Sequence, residues 1–388
     1  MTPRPRGDID DDMGTDPRPM KDGLDRRAIE LIARNLERVW PDFDSAGFVR
    51  DASARLSQLE LKQRVSHVID VLSMHLPDDF PEALDILLKA AEQWDSGDAD
   101  DPLRGFAAWP VIDYVAQHGL DHFDESLDAL RRLTPLFSAE FAIRTFLEHD
   151  PGRTLSRLKE WANDPDERVR RLVSEGTRPR LPWGKRLPEF QRDPRPVLEL
   201  LEQLRDDASE TVRRSVANNL HAIAKDHPDL VIMVLRMWMR TAPGSRKWIV
   251  QHATRTLVKA GHDKVWSLLG VDANANVRLT RLDVSPRAIE LGETLTIRLG
   301  LRSRSDRPQK LVVDYAIFHV KANGTTRPKV FKLKKLTLAP GQSIDLEKRH
   351  SVHRITTRRY YSGRHTVDIR VNGISLGKKS FELSVPAR

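Results

Sequence analysis

Asp164-Pro-Asp-Glu-Arg-Val-Arg-Arg-Leu-Val-Ser-Glu-Gly176 returns 43 residues later as Asp207-Ala-Ser-Glu-Thr-Val-Arg-Arg-Ser-Val-Ala-Asn-Asn219. Both copies open with Asp-x-x-Glu, a relative of the capping box, and so expect a helix start at the same place. A fainter third copy runs through Ser245-Arg-Lys-Trp-Ile-Val-Gln-His-Ala253. A period of this length belongs to helix pairs that stack into a curved solenoid with a concave face. An ordinary helical domain with a chance internal match is the alternative.

Outward from these copies, the pattern is helical from Leu24 to about Gly270, punctuated by Pro and Asp. Leu61, Val65, Val68, Ile69 and Leu72, for example, recur at helical spacing. Residues 23–272 therefore read as a HEAT-like repeat domain. Residues 1–22 are rich in Pro, Gly and Asp, lack an apolar period and read as a disordered tail. Near Asp272 the pattern changes to short β-like runs: Thr294 to Leu301, Lys310 to Val320, Lys329 to Leu338, Ser343 to His353 and His365 to Val371. With turns at Asn323-Gly324 and Asn372-Gly373, residues 278–388 read as an antiparallel, Ig-like β-sandwich. The expected fold class is α plus β multidomain: an all-α HEAT-like repeat solenoid followed by an Ig-like β-sandwich.

The most apolar run, Leu230 to Met239, is interrupted by Arg236 and is too short for a bilayer span. The polar N-terminus does not read as a signal peptide. The absence of cysteine excludes disulfides and thiolate metal sites and fits a reducing cytoplasm. The net charge of +8 is uneven: residues 278–388 hold 24 Lys and Arg against 9 Asp and Glu, and the rest holds 40 against 47. A basic module on a mildly acidic body points to a polyanion, nucleic acid or anionic membrane; a basic surface kept for solubility reads the same.

Common catalytic signatures are missing. There is no His-Glu-x-x-His, nucleophile elbow or EF-hand loop, and Gly184-Lys185 is followed by Arg186 rather than a P-loop Ser or Thr. The informative stretch is Arg168 to Arg186, with seven basic residues and one acid, Glu175. Arg171 and Glu175 share a helix face. Where the second repeat continues through Asn218-Asn-Leu-His, the first is broken by Gly176 and Pro179, and Arg178 before proline is expected outside the helix. A lone carboxylate ringed by guanidinium groups thus stands where the repeat departs from itself, as it would at a built site; a solvated basic helix end with one ion pair looks the same. In Trp109-Pro-Val-Ile-Asp113, a helix would put Trp109 and Asp113 on one side. In Ser138-Ala-Glu-Phe-Ala-Ile-Arg144, Ser138 as an N-cap would put Glu140 in the first helical turn. Taken alone, Trp109 reads as core and Glu140 as a surface acid.

Trp109-Pro-x-x-Asp-Tyr-Val115, Ala139-Glu-Phe-Ala-Ile-Arg144 and Ser174-Glu-Gly-Thr-Arg-Pro-Arg-Leu-Pro-Trp183, in this order, resemble motifs of the AlkC DNA glycosylases, relatives of AlkD. The likeness covers roughly residues 24–388, and the basic sandwich resembles the subgroup with a C-terminal Ig-like domain. The resemblance implies that Glu140 and Glu175 are active-site carboxylates, flanked by Arg171 and Arg178. Trp109, Asp113 and Trp183 would line the lesion pocket. It further implies excision of cationic alkylated bases, 3-methyladenine and 3-methylcytosine, from double-stranded DNA without base flipping.

The residue types suit that chemistry. Alkylation at N3 makes the base a cationic leaving group, and breaking the glycosidic bond develops oxocarbenium character that carboxylates stabilise. Indole faces stack on a cationic base. Arg171 and Arg178 should hold Glu175 ionised, so neither glutamate is expected to be a general acid. No metal or cofactor is called for. The resemblance also implies that Arg171 and Arg178 hold backbone phosphates, and Arg180 is expected to bind DNA beside them. Thr356 to His365, with Arg358, Arg359 and His365, is expected to be a DNA-meeting loop. A monomer acting in the cytoplasm or nucleoid is expected; a non-catalytic HEAT-repeat scaffold binding DNA or protein is the rival reading.

Overall fold

The computed structural model describes residues 18–240, 244–355 and 358–386. Contacts divide the chain into two compact units, Met1–Ile223 and Ala224–Arg388. The first unit holds α1 (Arg26–Val39), α2 (Ser45–Ser53), α3 (Leu61–His75), α4 (Phe80–Glu92), α5 (Ala108–His118) and α6 (Phe123–Leu133). It continues with α7 (Ile143–His149), α8 (Pro151–Trp161), α9 (Glu167–Gly176), α10 (Pro188–Arg192), α11 (Arg195–Leu204) and α12 (Glu210–Ile223). The Asp punctuation of the sequence becomes helix caps. Asp25, Asp79, Asp150 and Asp166 each accept a backbone N–H at the start of α1, α4, α8 and α9. Such a cap is worth about 1 kcal/mol because it satisfies one of the free donors of the first turn.

The copies, offset by 43 residues, start α9 and α12, and they share hydrogen bonds as well as letters. Arg170 Nη1 donates to the carbonyls of Asp164 and Pro165, and Arg213 Nη1 donates to those of Asp207 and Ala208. Asp164 Oδ1 accepts from Asp166 N at 2.9 Å, and Asp207 Oδ1 from Ser209 N at 2.8 Å. The next link joins neighbours: Asp164 pairs with Arg131 of α6, and Asp207 with Arg170 of α9. As expected, α9 stops at Gly176 while α12 runs on to Ile223.

The second unit begins with α13 (Pro228–Met239), α14 (Gly244–Ala253), α15 (Arg255–Ala260) and α16 (Asp263–Leu268). It continues with β1 (Val277–Ser285), β2 (Ala288–Glu290), β3 (Thr294–Ser303), β4 (Gln309–Val320), β5 (Thr326–Leu338), β6 (Ser343–Ser351), β7 (Gly363–Val371) and β8 (Ile374–Ser384). The sheets are ordered β1-β3-β6 and β2-β8-β7-β4-β5. Leu295, Ile297, Leu299 and Leu301 of β3 pack with Leu311, Val313, Tyr315 and Ile317 of β4 in a single core. All pairings are antiparallel except β2 with β8, so the sandwich is not purely antiparallel as the sequence led us to expect. β1, β2 and β8 were not among the expected strands.

The expected tail boundary also moves. Of the tail, residues 1–17 lie outside the described residues, but Met20–Leu24 forms a 3-10 turn whose Leu24 is buried. By contacts, the last four helices group with the sandwich. One of these contacts lies at Asn372-Gly373. Asn372 Nδ2 donates to Asp272 O at 2.6 Å, and a Cβ on Gly373 would stand 2.6 Å from Gly261 Cα and 3.1 Å from Trp266. Both glycines have positive φ, so the two turns can touch only as glycines. No helix among the described residues is long and apolar enough to cross a membrane.

Candidate active site

A cleft of about 550 Å³ opens in the first unit, lined by Trp109, Glu140, Arg171, Glu175, Arg178 and Trp183, with Phe106, Phe137 and Phe141. Six residues singled out from sequence thus meet in one place, although they come from α5, the turn before α7, α9 and the loop after it.

The carboxylates differ in setting. Glu175, in the last turn of α9, is 5% exposed. Its Oε1 accepts from Arg178 Nη1, and its Oε2 accepts from Ser215 Oγ at 2.6 Å and lies 4.0 Å from Arg171 Nη2. Burial pushes its carboxyl up. The charges of Arg178 and Arg171 and the bonds from Ser215 and Arg178 outweigh that, so its pKa lies below the usual carboxylate range. Glu140 is half-buried; its Oε2 accepts from Ser138 Oγ at 2.9 Å and forms an ion pair with Arg171 Nη1 at 2.9 Å, and that nitrogen donates to Ser138 Oγ at 3.2 Å. Arg171 therefore reaches both acids. Ser138 is not the helix cap it was expected to be: α7 begins at Ile143, so Glu140 stands in the preceding turn, not in a first helical turn. The Ser138 hydroxyl instead holds the Glu140 carboxylate directly.

Trp109 and Asp113 do lie one turn apart on α5, and Trp109 Nε1 donates to Asp113 Oδ2 at 2.8 Å. Trp109 stacks on Phe141 at 4.9 Å between centroids and on Phe137 at 5.6 Å. Asp113 is not among the cleft-lining side chains, contrary to expectation; it holds the indole from behind. Burial pushes its carboxyl up to about 7 against the opposing effects of Trp109 and Lys62. Its Oδ1 has no hydrogen-bond partner. Trp183 is the opposite case, 52% exposed, with φ +63° and its carbonyl held by Lys62 Nζ. Arg180 is half-buried and outside the lining.

In the sandwich, Thr356 and Thr357 lie outside the described residues. Arg359 is exposed, with its guanidinium over Tyr361 at 5.5 Å. Arg358 is half-buried and its Nη1 bonds His319 Nε2 at 2.8 Å. His365 corrects an expectation: it is 0% exposed, stacked on Phe381, and its Nε2 bonds Tyr361 O at 3.1 Å. A ring enclosed in the core cannot touch DNA; it fixes the base of the Arg358–Arg359 loop. Its position in β7 faces inward by strand alternation, a signal that the charged neighbourhood obscured.

Sequence reasoning missed five contributors. Ser215 occupies the position that Leu172 holds in the first repeat, and a serine at a buried repeat position was the available signal. Phe106, Phe137 and Phe141 gave none beyond apolarity. Arg144 sat inside a quoted motif without a role.

The comparisons agree with this geometry. Residues 137–257 match the family described as DNA alkylation repair enzyme, and residues 278–385 match the C-terminal Ig-like domain described for the uncharacterised protein YhaZ. The solved structure of the Pseudomonas fluorescens alkylpurine DNA glycosylase AlkC, bound to DNA containing an abasic site analog, is 41% identical, with a TM-score of 0.88 over 95% of this chain and 100% of that one. The uncharacterized protein YhaZ of Bacillus subtilis (strain 168) is 37% identical over 357 residues, 91% of this chain and 96% of its own. Fold and site together define the class, a DNA alkylation-repair enzyme whose helical region is followed by an Ig-like domain. Within that class, the chain belongs to the AlkC family of DNA glycosylases.

Proposed function

We propose that this protein, acting as a monomer on a HEAT-like scaffold, excises cationic alkylated bases from double-stranded DNA. The bases would be 3-methyladenine and 3-methylcytosine, and an abasic site would remain. The observation that carries the proposal is the Glu140 and Glu175 pair at an aromatic-lined cleft, with Glu175 held ionised. The C1′–N bond breaks with its electrons leaving on the base, which becomes neutral. Positive charge develops on the sugar beside the two carboxylates, and water then adds at C1′ and gives up a proton. The more accessible Glu140 is suited to orient that water; the enclosed Glu175 supplies fixed negative charge. Trp109 and Trp183 offer faces for the cationic base. Excision without base flipping is carried over from the family likeness. A non-catalytic scaffold would gain nothing from two acids in a phosphate-binding groove.

Incubation with DNA carrying either lesion should release free base; release from neither rejects the enzyme reading. Glu175→Gln, close in shape but without charge, should slow release by about 100-fold or more. An unchanged rate would remove Glu175 from the chemistry. For the sandwich, Arg359→Ala should reduce the slope of log affinity against log salt by about one if Arg359 contacts a phosphate.

A further inference from the structure

We propose that Arg144 is a positioning residue for base excision, clamping the Gly176–Lys185 segment so that Arg178 and Trp183 face the cleft in register with Glu140. The inference rests on the reading of the site just given.

Arg144 stands in the first turn of α7 and is 1% exposed. Its Nη1 donates to Gly176 O at 2.8 Å and to Arg178 O at 2.9 Å; its Nε donates to Lys185 O at 2.8 Å, and its Nη2 to the same oxygen. Every one of these bonds ends on a backbone carbonyl of one segment, and none ends on a carboxylate. The two ends of the segment, at Gly176 and Lys185, are therefore tied to a single guanidinium. Between them lie Arg178, bonded to Glu175, and Trp183, which lines the cleft.

A buried cation without an ion pair is costly. Burial brings this group's pKa down to about 10, with Glu148 opposing the fall, so it remains charged at neutral pH. An apolar side chain would fill the same space at no such cost, but it could not order three carbonyls. A planar fork can bond carbonyls in several directions at once; a lysine ammonium is a point donor on a flexible stem. The other end of the device is equally direct. Arg144 lies one turn after Glu140, and its neighbour Ile143 touches Gly176: a Cβ there would come within 2.5 Å of Ile143 Cγ2. The carboxylate turn and the guanidinium loop are thus locked to each other at Ile143 and Arg144.

The test uses the full chain and two variants, Arg144→Lys and Arg144→Met. Single-turnover release of 3-methyladenine is measured across pH with protein in excess, beside DNA affinity and thermal melting. Both variants should excise about tenfold more slowly or worse, because small misplacements of reacting groups are expensive. The lysine should not rescue, and affinity for undamaged DNA should change by less than about threefold, since phosphate contacts dominate it. The acid limb of the rate profile should move to higher pH, because a released Arg178 no longer depresses Glu175. A rate within about twofold of the parent, or a slower rate with an unmoved acid limb, overturns the positioning role. So does failure of both variants to melt cooperatively, which would make Arg144 a folding residue. A parent that releases no base sinks the excision reading itself, whereas an active parent with an unaffected Arg144→Lys sinks only the clamp.

Discussion

At the scale of single residues, the site is a balance of charges in a small enclosed volume. Glu175 is buried, and burial alone would favour its protonated form. Two guanidinium groups and the Ser215 hydroxyl reverse that preference. Ser215→Ala removes a bond made to the ionised carboxylate, so the pKa of Glu175 should rise and the acid limb of excision should move up in pH. Loss of a buried charged hydrogen bond should also cost about 1–3 kcal/mol, read as a lower melting temperature. An unmoved limb would show that the hydroxyl is irrelevant to the charge state. Asp113 gives a second case. It orients Trp109 by accepting from the indole, a task an amide oxygen performs equally well. Asp113→Asn should therefore keep excision near the parent rate at neutral pH, while Asp113→Leu leaves Trp109 Nε1 unpaired and should lower both rate and stability. A large loss with Asn would give the carboxylate a direct role.

At the scale of elements, the first unit is held together by a repeated device and then by its interruption. The Arg170 and Arg213 guanidinium groups close the same turn in consecutive copies. This is why the two segments are so alike: the geometry of the turn dictates the letters. At Gly176 the first copy departs. α9 ends there, and Asn219 of α12, 43 positions on, donates to Ser174 O at 2.7 Å and to Thr177 Oγ1 at 3.1 Å. The carbonyl freed by the broken helix is thereby satisfied. Gly176→Ala should be unfavourable even though alanine gains up to about 1 kcal/mol in helix propensity. The new methyl meets Ile143 Cγ2 and pushes α7 away from α9. We expect a lower melting temperature and slower excision, partly relieved in the double variant with Ile143→Ala. Additive losses in that cycle would mean that the contact does not carry the effect.

At the scale of the molecule, α13–α16 group by contacts with the sandwich. Among its titratable rings, His319 and His365 are buried and His350 is half-buried. Burial lowers His319 to about 3 and His350 to about 4, and also lowers His365. Their unfolded value is near 6.5. The unfolded chain therefore takes up protons first as pH falls, and the stability these neutral rings contribute is complete above pH about 6.5 and lost progressively toward 4. The melting temperature of this unit should fall across that window. His350→Gln, which still offers an acceptor to Tyr315, should show a shallower fall; equal slopes would place the effect elsewhere.

The sequence by itself determined what local rules govern. Helix starts follow from capping aspartates, five of the strands from alternating apolar residues, and the two hairpin turns from Asn-Gly. It also marked Glu175 with Arg171 and Arg178, because the break in a repeat is visible without coordinates, whereas Glu140 was named only by the family resemblance. Tertiary structure alone decided the rest. Ser215 reaches Glu175 from the next repeat, and Arg144 ties together the ends of the Gly176–Lys185 segment. Asp113 and His365 are turned away from the surfaces proposed for them by packing that no local pattern records. The last helices meet the sandwich at two glycines more than 100 positions apart. Periodicity reports which face of an element is buried, but what that face is buried against depends on how the elements pack.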